Sequence, residues 1–349
     1  MGVTCDIMIE TPEKRKHVTG KPIKGLVKFH LDKDTVYRKI SLSLVEKGYC
    51  QWDESEQHYR SRHSKQAYQR RKVGNRFVFE GHETKIVKTI HLLKNNADVN
   101  TTLTAGSHEH SFEMLIPENI PPSLDIEFGE IKYYLILKFK KPKIFSRNKK
   151  FKTKITIFPS IDSSVTDKPL CFALDKTLIK LFSAHKHEIH LKAVLEKGYL
   201  NPSSERQISF IVTNTSNVAV SVKTELISKT KYKDDFAIKK FTADDPKTVR
   251  EVIYSCTVGV PIIPNDNVSS MFVMIPVAPQ LCTVRHSKII TREYKLRVTM
   301  KVPLPHINSS IEVPVFVGER LTENLDTTKA SAPKEEPPAY WECMFEDKV

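Results

Sequence analysis

Pro337, Pro338 and Tyr340, in the run Pro-Pro-Ala-Tyr, are the residues whose type and spacing point most directly to a chemistry. Proline fixes φ near about −65° and carries no amide hydrogen, so a proline pair favours polyproline II, which needs no internal hydrogen bonds. That shape suits the aromatic groove of a WW domain, with a proline between aromatic rings and the tyrosine in a neighbouring pocket. A pre-extended ligand also loses less freedom on binding. A second proline pair, Pro121-Pro122, precedes Ser123 and Leu124, has no tyrosine, and reads as a loop.

The second chemistry is electrostatic. Residues 138–154 hold nine Lys and Arg and no acid, with Ile144, Phe145 and Phe151 interleaved. Lys138, Lys140, Lys141, Lys143, Arg147, Lys149 and Lys150 are therefore candidate contacts for an anionic surface, either lipid or a phosphorylated cytoplasmic tail. A solvated hairpin with its apolar face inward fits the same residues. Arg60, Arg62, Lys65, Arg70, Arg71, Lys72 and Arg76 form a second basic stretch, read as a long loop between strands. No helix-turn-helix, zinc-finger or RNP pattern accompanies it, so nucleic acid is not expected as a partner.

Catalysis and metal binding have little local support. His185, His187 and His190 would place two rings on one face of a strand and the third on the other, a poor tripod for a metal. His108 and His110 read the same way. The chain has no GxSxG, HExxH, GxxxxGK[ST] or GxGxxG pattern. Six cysteines occur with no CxxC among them. An enzyme is not expected, and no cofactor or metal is implied.

These residues need a scaffold, and the apolar pattern supplies one. Ile23, Gly25, Val27, Phe29 and Leu31 fall on one face of a strand; Ile40, Leu42 and Leu44 alternate with Ser41, Ser43 and Val45. Ile208, Phe210 and Val212 repeat the period, as do Val218, Val220 and Val222, then Tyr294, Leu296, Val298, Met300 and Val302, and finally Ile311, Val313, Val315 and Val317. Period two with turn-rich punctuation predicts an all-β chain of two antiparallel sandwiches. At 349 residues the chain is long enough for two cores. Residues 1–160 carry 30 Lys and Arg against 18 Asp and Glu, whereas residues 161–349 carry 25 against 23. Nearly all of the net charge of +14 thus lies in the first half, which predicts an acidic partner for it. The strand pattern predicts a first sandwich over 1–159, a linker over 160–171, a second sandwich over 172–318 and a disordered tail over 319–349 that carries the Pro-Pro-Ala-Tyr run. No secretory signal or transmembrane run is recognised, so a cytoplasmic protein with reduced thiols is expected.

In their order along the chain, several pieces resemble one family. Residues 20–29, residues 40–48 and Trp52 are similar to its opening strands, and residues 112–135 followed by Lys141-Pro142 give the clearest likeness. Residues 196–202, 214–217, Ile275-Pro276 and 313–318 follow in order. With the terminal Pro-Pro-Ala-Tyr, the chain resembles the α-arrestins, or arrestin domain-containing proteins. The resemblance implies two seven-stranded immunoglobulin-like sandwiches and an adaptor that bridges membrane receptors or transporters to HECT-type E3 ubiquitin ligases through their WW domains. It also implies recruitment to the plasma membrane and endosomes. Many members carry two such motifs; this chain has one. A retromer-like, arrestin-fold cargo-sorting subunit that acts without a ligase is the alternative.

Overall fold

The computed structural model describes residues 2–12, 16–55, 72–93, 100–142, 148–161, 168–178, 187–216, 218–235, 246–261 and 267–320. The first half runs through β1 (Val3–Ile9), β2 (His17–Val18), β3 (Pro22–Leu31), β4 (Thr35–Tyr37), β5 (Lys39–Ser55), β6 (Lys72–Val73), β7 (Arg76–His91), β8 (Thr101–Leu103), β9 (Gly106–Leu115), β10 (Leu124–Ile126), β11 (Gly129–Lys140), β12 (Lys149–Ile155) and β13 (Ile157–Phe158). The second half follows with β14 (Leu170–Leu178), β15 (His187–Leu195), β16 (Tyr199–Leu200), β17 (Ser204–Asn214), β18 (Ser221–Tyr232), β19 (Lys247–Gly259), β20 (Val268–Val277), β21 (Ile290–Lys301) and β22 (Ser309–Val317). The chain is all-β, with two arrestin domains.

In the first sandwich a sheet ordered β1-β3-β9 faces one ordered β10-β11-β5-β7-β6, with β12 also pairing to β11. The second sandwich joins β14-β15-β17-β20 to β16-β22-β21-β18-β19. Among the described residues that makes nine strands in each sandwich, against the seven implied by the resemblance, with short pieces such as β6 and β16 pairing at the sheet edges.

Alternation places each core as the period requires. Ile23, Val27, Phe29 and Leu31 of β3 are buried, and Leu42, Leu44, Leu135 and Leu137 meet them from the larger sheet. The first core is rich in aromatics, including Trp52 stacked on Phe79 at 5.1 Å and Phe29 edge-on to Phe139. The second core is mostly aliphatic, built on residues such as Leu191, Val212, Ile275 and Val298.

The two cores are joined by intrusion. Tyr232, Cys282, Val284, Ile289 and Ile290 of the second half belong to the first core. Glycines open the space for them. A Cβ at Gly81 would sit 2.4 Å from the Lys233 carbonyl oxygen, and one at Gly129 would sit 2.7 Å from Ile290 Cδ1. The Glu83 carboxylate accepts hydrogen bonds from the Ser287 hydroxyl (2.9 Å) and the Lys288 amide (3.0 Å). At the other end of the junction, Glu319 donates its amide to the Pro159 carbonyl (2.9 Å) and its side chain pairs with Lys16.

Candidate functional site

The basic stretch folds as a hairpin half. β11 pairs antiparallel with β12 on one side and with β5 on the other, and β5 pairs with β7. Leu135, Leu137 and Phe139 point into the core, so Lys138 and Lys140 point out. The register then sets outward residues side by side across four strands. Lys150, Lys138, Ser41 and His91 form one row. Lys152, Ile136, Ser43 and Thr89 form the next, and Lys154, Tyr134, Val45 and Ile86 the third. Lys140 opposite Lys39 and Lys132 opposite Lys47 flank these rows.

Lysine thus stands directly opposite lysine at three places in this sheet. Only Lys132 has an ion-pair partner among the described residues, Glu130, whose hydrogen bond raises the lysine pKa. Lys152 lies 3.4 Å from the centre of the Tyr134 ring, a cation–π contact that holds the ammonium over the face. Ile86, between these lysines, is 66 % exposed.

Of the residues the sequence singled out, Lys138, Lys140 and Lys150 share this face. Lys149 lies opposite Phe139 in register and so takes the other side of β12, while Lys141 follows the end of β11. Lys143 and Arg147 lie outside the described residues, as do Pro337, Pro338 and Tyr340 of the tail. Sequence reasoning missed Lys39, Lys47 and Lys132, and it counted Lys152 and Lys154 in the basic stretch without naming them as contacts. Alternation within β12 already put Lys150, Lys152 and Lys154 on one side, but the partners across the sheet come only from register.

The histidines have structural roles. His190 Nδ1 lies 2.7 Å from Asp175 and its Nε2 lies 3.3 Å from Glu188; these carboxylates raise its pKa, Asp175 foremost. His187 Nδ1 is 3.1 Å from the Thr215 carbonyl oxygen, on the other face of β15; His185 lies outside the described residues. His108 and His110 stack on Phe29. Among the described residues no group of three or more His, Cys, Asp or Glu side chains is placed to hold a metal. Burial pushes the Cys50 thiol up to about 12 and those of Cys5 and Cys282 up to about 11, which removes them as ready nucleophiles.

One buried acid stands apart. Glu46, on the inner side of β5, has an oxygen 3.3 Å from the Tyr133 hydroxyl, which donates its proton to the Pro121 carbonyl at 2.6 Å. Burial, reinforced by the nearby Glu83, pushes the Glu46 carboxyl up to about 7. Protonated Glu46 can then donate to the Tyr133 oxygen, so the pair ties the loop at Pro121 to the sheet rather than forming an acid–base centre.

Two linked sandwiches with charge arranged on a sheet face, and no assembled catalytic set among the described residues, define a class of binding scaffold. Residues 5–164 match the family described as Arrestin (or S-antigen), N-terminal domain, and residues 185–321 match Arrestin (or S-antigen), C-terminal domain. The chain belongs to the arrestin family and has its adaptor fold. It is similar to Arrestin domain-containing protein 5 of Homo sapiens, 27% identical over 135 residues, which cover 39% of this chain and 35% of that protein. The match therefore spans about a third of the length of that relative. Among the described residues, no helix is long and apolar enough to cross a membrane.

Proposed function

We propose that the chain is an adaptor that brings WW-domain, HECT-type E3 ubiquitin ligases to membrane-protein cargo, such as receptors or transporters, and so promotes their ubiquitination, endocytosis and trafficking. The observation that carries this reading is the run Pro337-Pro338-Ala339-Tyr340 placed beyond β22 of an arrestin-family body. Eighteen residues of mostly polar sequence separate Gly318 from Pro337, so the motif is distinct in sequence from the sandwiches that would hold cargo. The adaptor itself does no chemistry; it works in the cytoplasm and is recruited to the plasma membrane and endosomes. A single motif gives modest affinity, so the assembly depends on a second contact for avidity.

Titration of the full chain with isolated WW domains of HECT-type ligases tests the reading. Binding on the micromolar scale is expected, weakened at least about tenfold by Tyr340→Ala, because the ring loses its pocket. Absence of binding by the unaltered chain overturns ligase recruitment and leaves the sorting-subunit alternative.

A further inference from the structure

We infer that the outer face of β12, β11, β5 and β7 is a docking surface for an anionic lipid bilayer. This deepens the adaptor reading, on which it rests only for its purpose, by naming what the body meets besides cargo. Between Lys39 and Lys47 the face presents Lys39, Lys47, Lys132, Lys138, Lys140, Lys150, Lys152 and Lys154; its carboxylates Glu130, Asp53 and Glu80 lie beyond Lys47, towards the far end of β5. Like charges directly opposite each other in an antiparallel sheet are destabilising. This sheet holds three such pairs: Lys138 with Lys150, Lys39 with Lys140 and Lys47 with Lys132.

Other outward faces set carboxylates beside their cations; even where Lys229 stands opposite Arg250, Glu293 lies opposite Lys229 on its other side. On the β1-β3-β9 sheet, Lys24 faces Glu113 and Lys28 faces Glu109, with ion pairs of 3.5 and 2.7 Å. On the β18-β21-β22 face, Glu312 takes Lys295 at 3.0 Å, Arg250 at 3.4 Å and also Arg297. On the lysine-bearing face too, the far end of β5 and β7 pairs Arg76 with Asp53 at 2.5 Å; it is between Lys39 and Lys47 that no carboxylate stands across the strands from a lysine.

The shape and chemistry of that face favour a bilayer over a phosphorylated peptide. It is an open sheet surface, about 14 Å across its four strands and about 27 Å along β5 from Lys39 to Lys47. Over that span its cations are all lysines, hydrated point charges suited to a diffuse anionic plane, whereas recognition of a single phosphate favours the arginine fork. Between them stand Ile86, Tyr134 and Ile136, apolar bodies that reach the headgroup level beside ammonium groups.

Flotation of the full chain with phosphatidylcholine vesicles, with and without about 30 mol% phosphatidylserine, tests the inference. The unaltered protein is expected to float with the anionic vesicles only. A variant carrying K138Q, K150Q, K152Q and K154Q should partition roughly a hundredfold more weakly. A charge-matched variant with K24Q, K28Q, K223Q and K295Q should change by less than about threefold, because those lysines are already paired in the fold. Equal partition of the two variants makes net charge, not this face, responsible and overturns the inference. So does indifference of the unaltered protein to phosphatidylserine, or capture of a phosphoserine-rich peptide in preference to vesicles. A thermal melt of each variant separates lost binding from lost folding. The assay contains no WW domain, so its failure leaves the tail reading standing, and failure of the tail reading leaves this one.

Discussion

The two outer faces of the first sandwich are built from the same alternation and carry lysines at the same kind of position, yet only one sets a carboxylate across the strands from its lysines. On the β1-β3-β9 face each of Lys24 and Lys28 meets a glutamate across the strands. On the β5-β7-β11-β12 face between Lys39 and Lys47, lysine meets lysine, serine, threonine or an apolar residue across the strands. Exposure alone does not distinguish them, since Lys24, Lys28, Lys150 and Lys152 all reach solvent. What differs is the residue that the register sets opposite. A lysine is part of the fold's own electrostatics when a carboxylate stands across from it, and is available to something outside when another lysine does.

Solvent is what lets the lysine face persist, and the inner side of β5 shows what happens without it. Glu46 sits one residue before Lys47 but faces the core, 1 % exposed. Its carboxyl is pushed up to about 7, so ionisation is opposed in the folded chain and nearly free in the unfolded one. Stability from this group is complete below pH about 4.5 and is lost as pH rises through about 7. Glu46→Gln should remove that loss. At pH 8 the variant is expected to be more stable by about 2 kcal/mol, with little difference at pH 4.5, as read from urea unfolding at the two pH values. Parallel pH profiles for the two proteins would mean that Glu46 is solvated and that the contrast between the sides of β5 is not one of burial. This is the largest effect expected.

The same contrast explains how much could be read from the sequence. Strand β3 is legible because Ile23, Val27, Phe29 and Leu31 repeat at period two and one face is buried, so the local pattern and the fold agree. The arrestin architecture follows from many such strands in order. The lysine face is only half legible. The run from 138 to 154 announces positive charge, yet Lys149 drops to the other side and Lys132, Lys39 and Lys47 join from elsewhere, because cross-strand register depends on contacts remote in sequence. The junction was not legible at all. Nothing local marks Ile289 and Ile290 as residues of the other sandwich's core, or Gly81 and Gly129 as the clearances that admit the second half. The tail motif is the reverse case, since its chemistry is carried by four consecutive residues.

A smaller effect tests the paired side of the comparison. Glu312 is held down at about 2 by hydrogen bonds from Arg297 and Lys295. Its depressed pKa contributes stability that is present above pH about 4.5 and is lost as pH falls through about 2. Glu312→Gln should cost about 1 kcal/mol at pH 7, a figure discounted for the partial exposure of its partners, and the loss should vanish near pH 2. Glu109→Gln, whose single partner Lys28 is well exposed, should cost less than about 0.5 kcal/mol. Chemical denaturation at pH 7 ranks the two. An equal cost would show that one exposed ion pair neutralises a lysine as well as a shared network does.

The smallest effect bears most directly on the lysine face. Lys150→Glu places a carboxylate opposite Lys138 and turns one like-charge pair into an opposite-charge pair. Glu109→Lys performs the reverse operation opposite Lys28. Cross-strand charge pairs are worth about 0.2–1 kcal/mol, so the first substitution should stabilise and the second destabilise by about 0.5 kcal/mol each, and both shifts should shrink in molar salt. Lys150→Glu should at the same time weaken flotation with phosphatidylserine vesicles, so that stability and binding move in opposite directions. That opposition is the signature of a surface whose charge is kept for a partner at a cost to the fold. If Lys150→Glu leaves stability unchanged, the lysines repel one another too weakly to matter, and their arrangement on one face is a consequence of solvation alone.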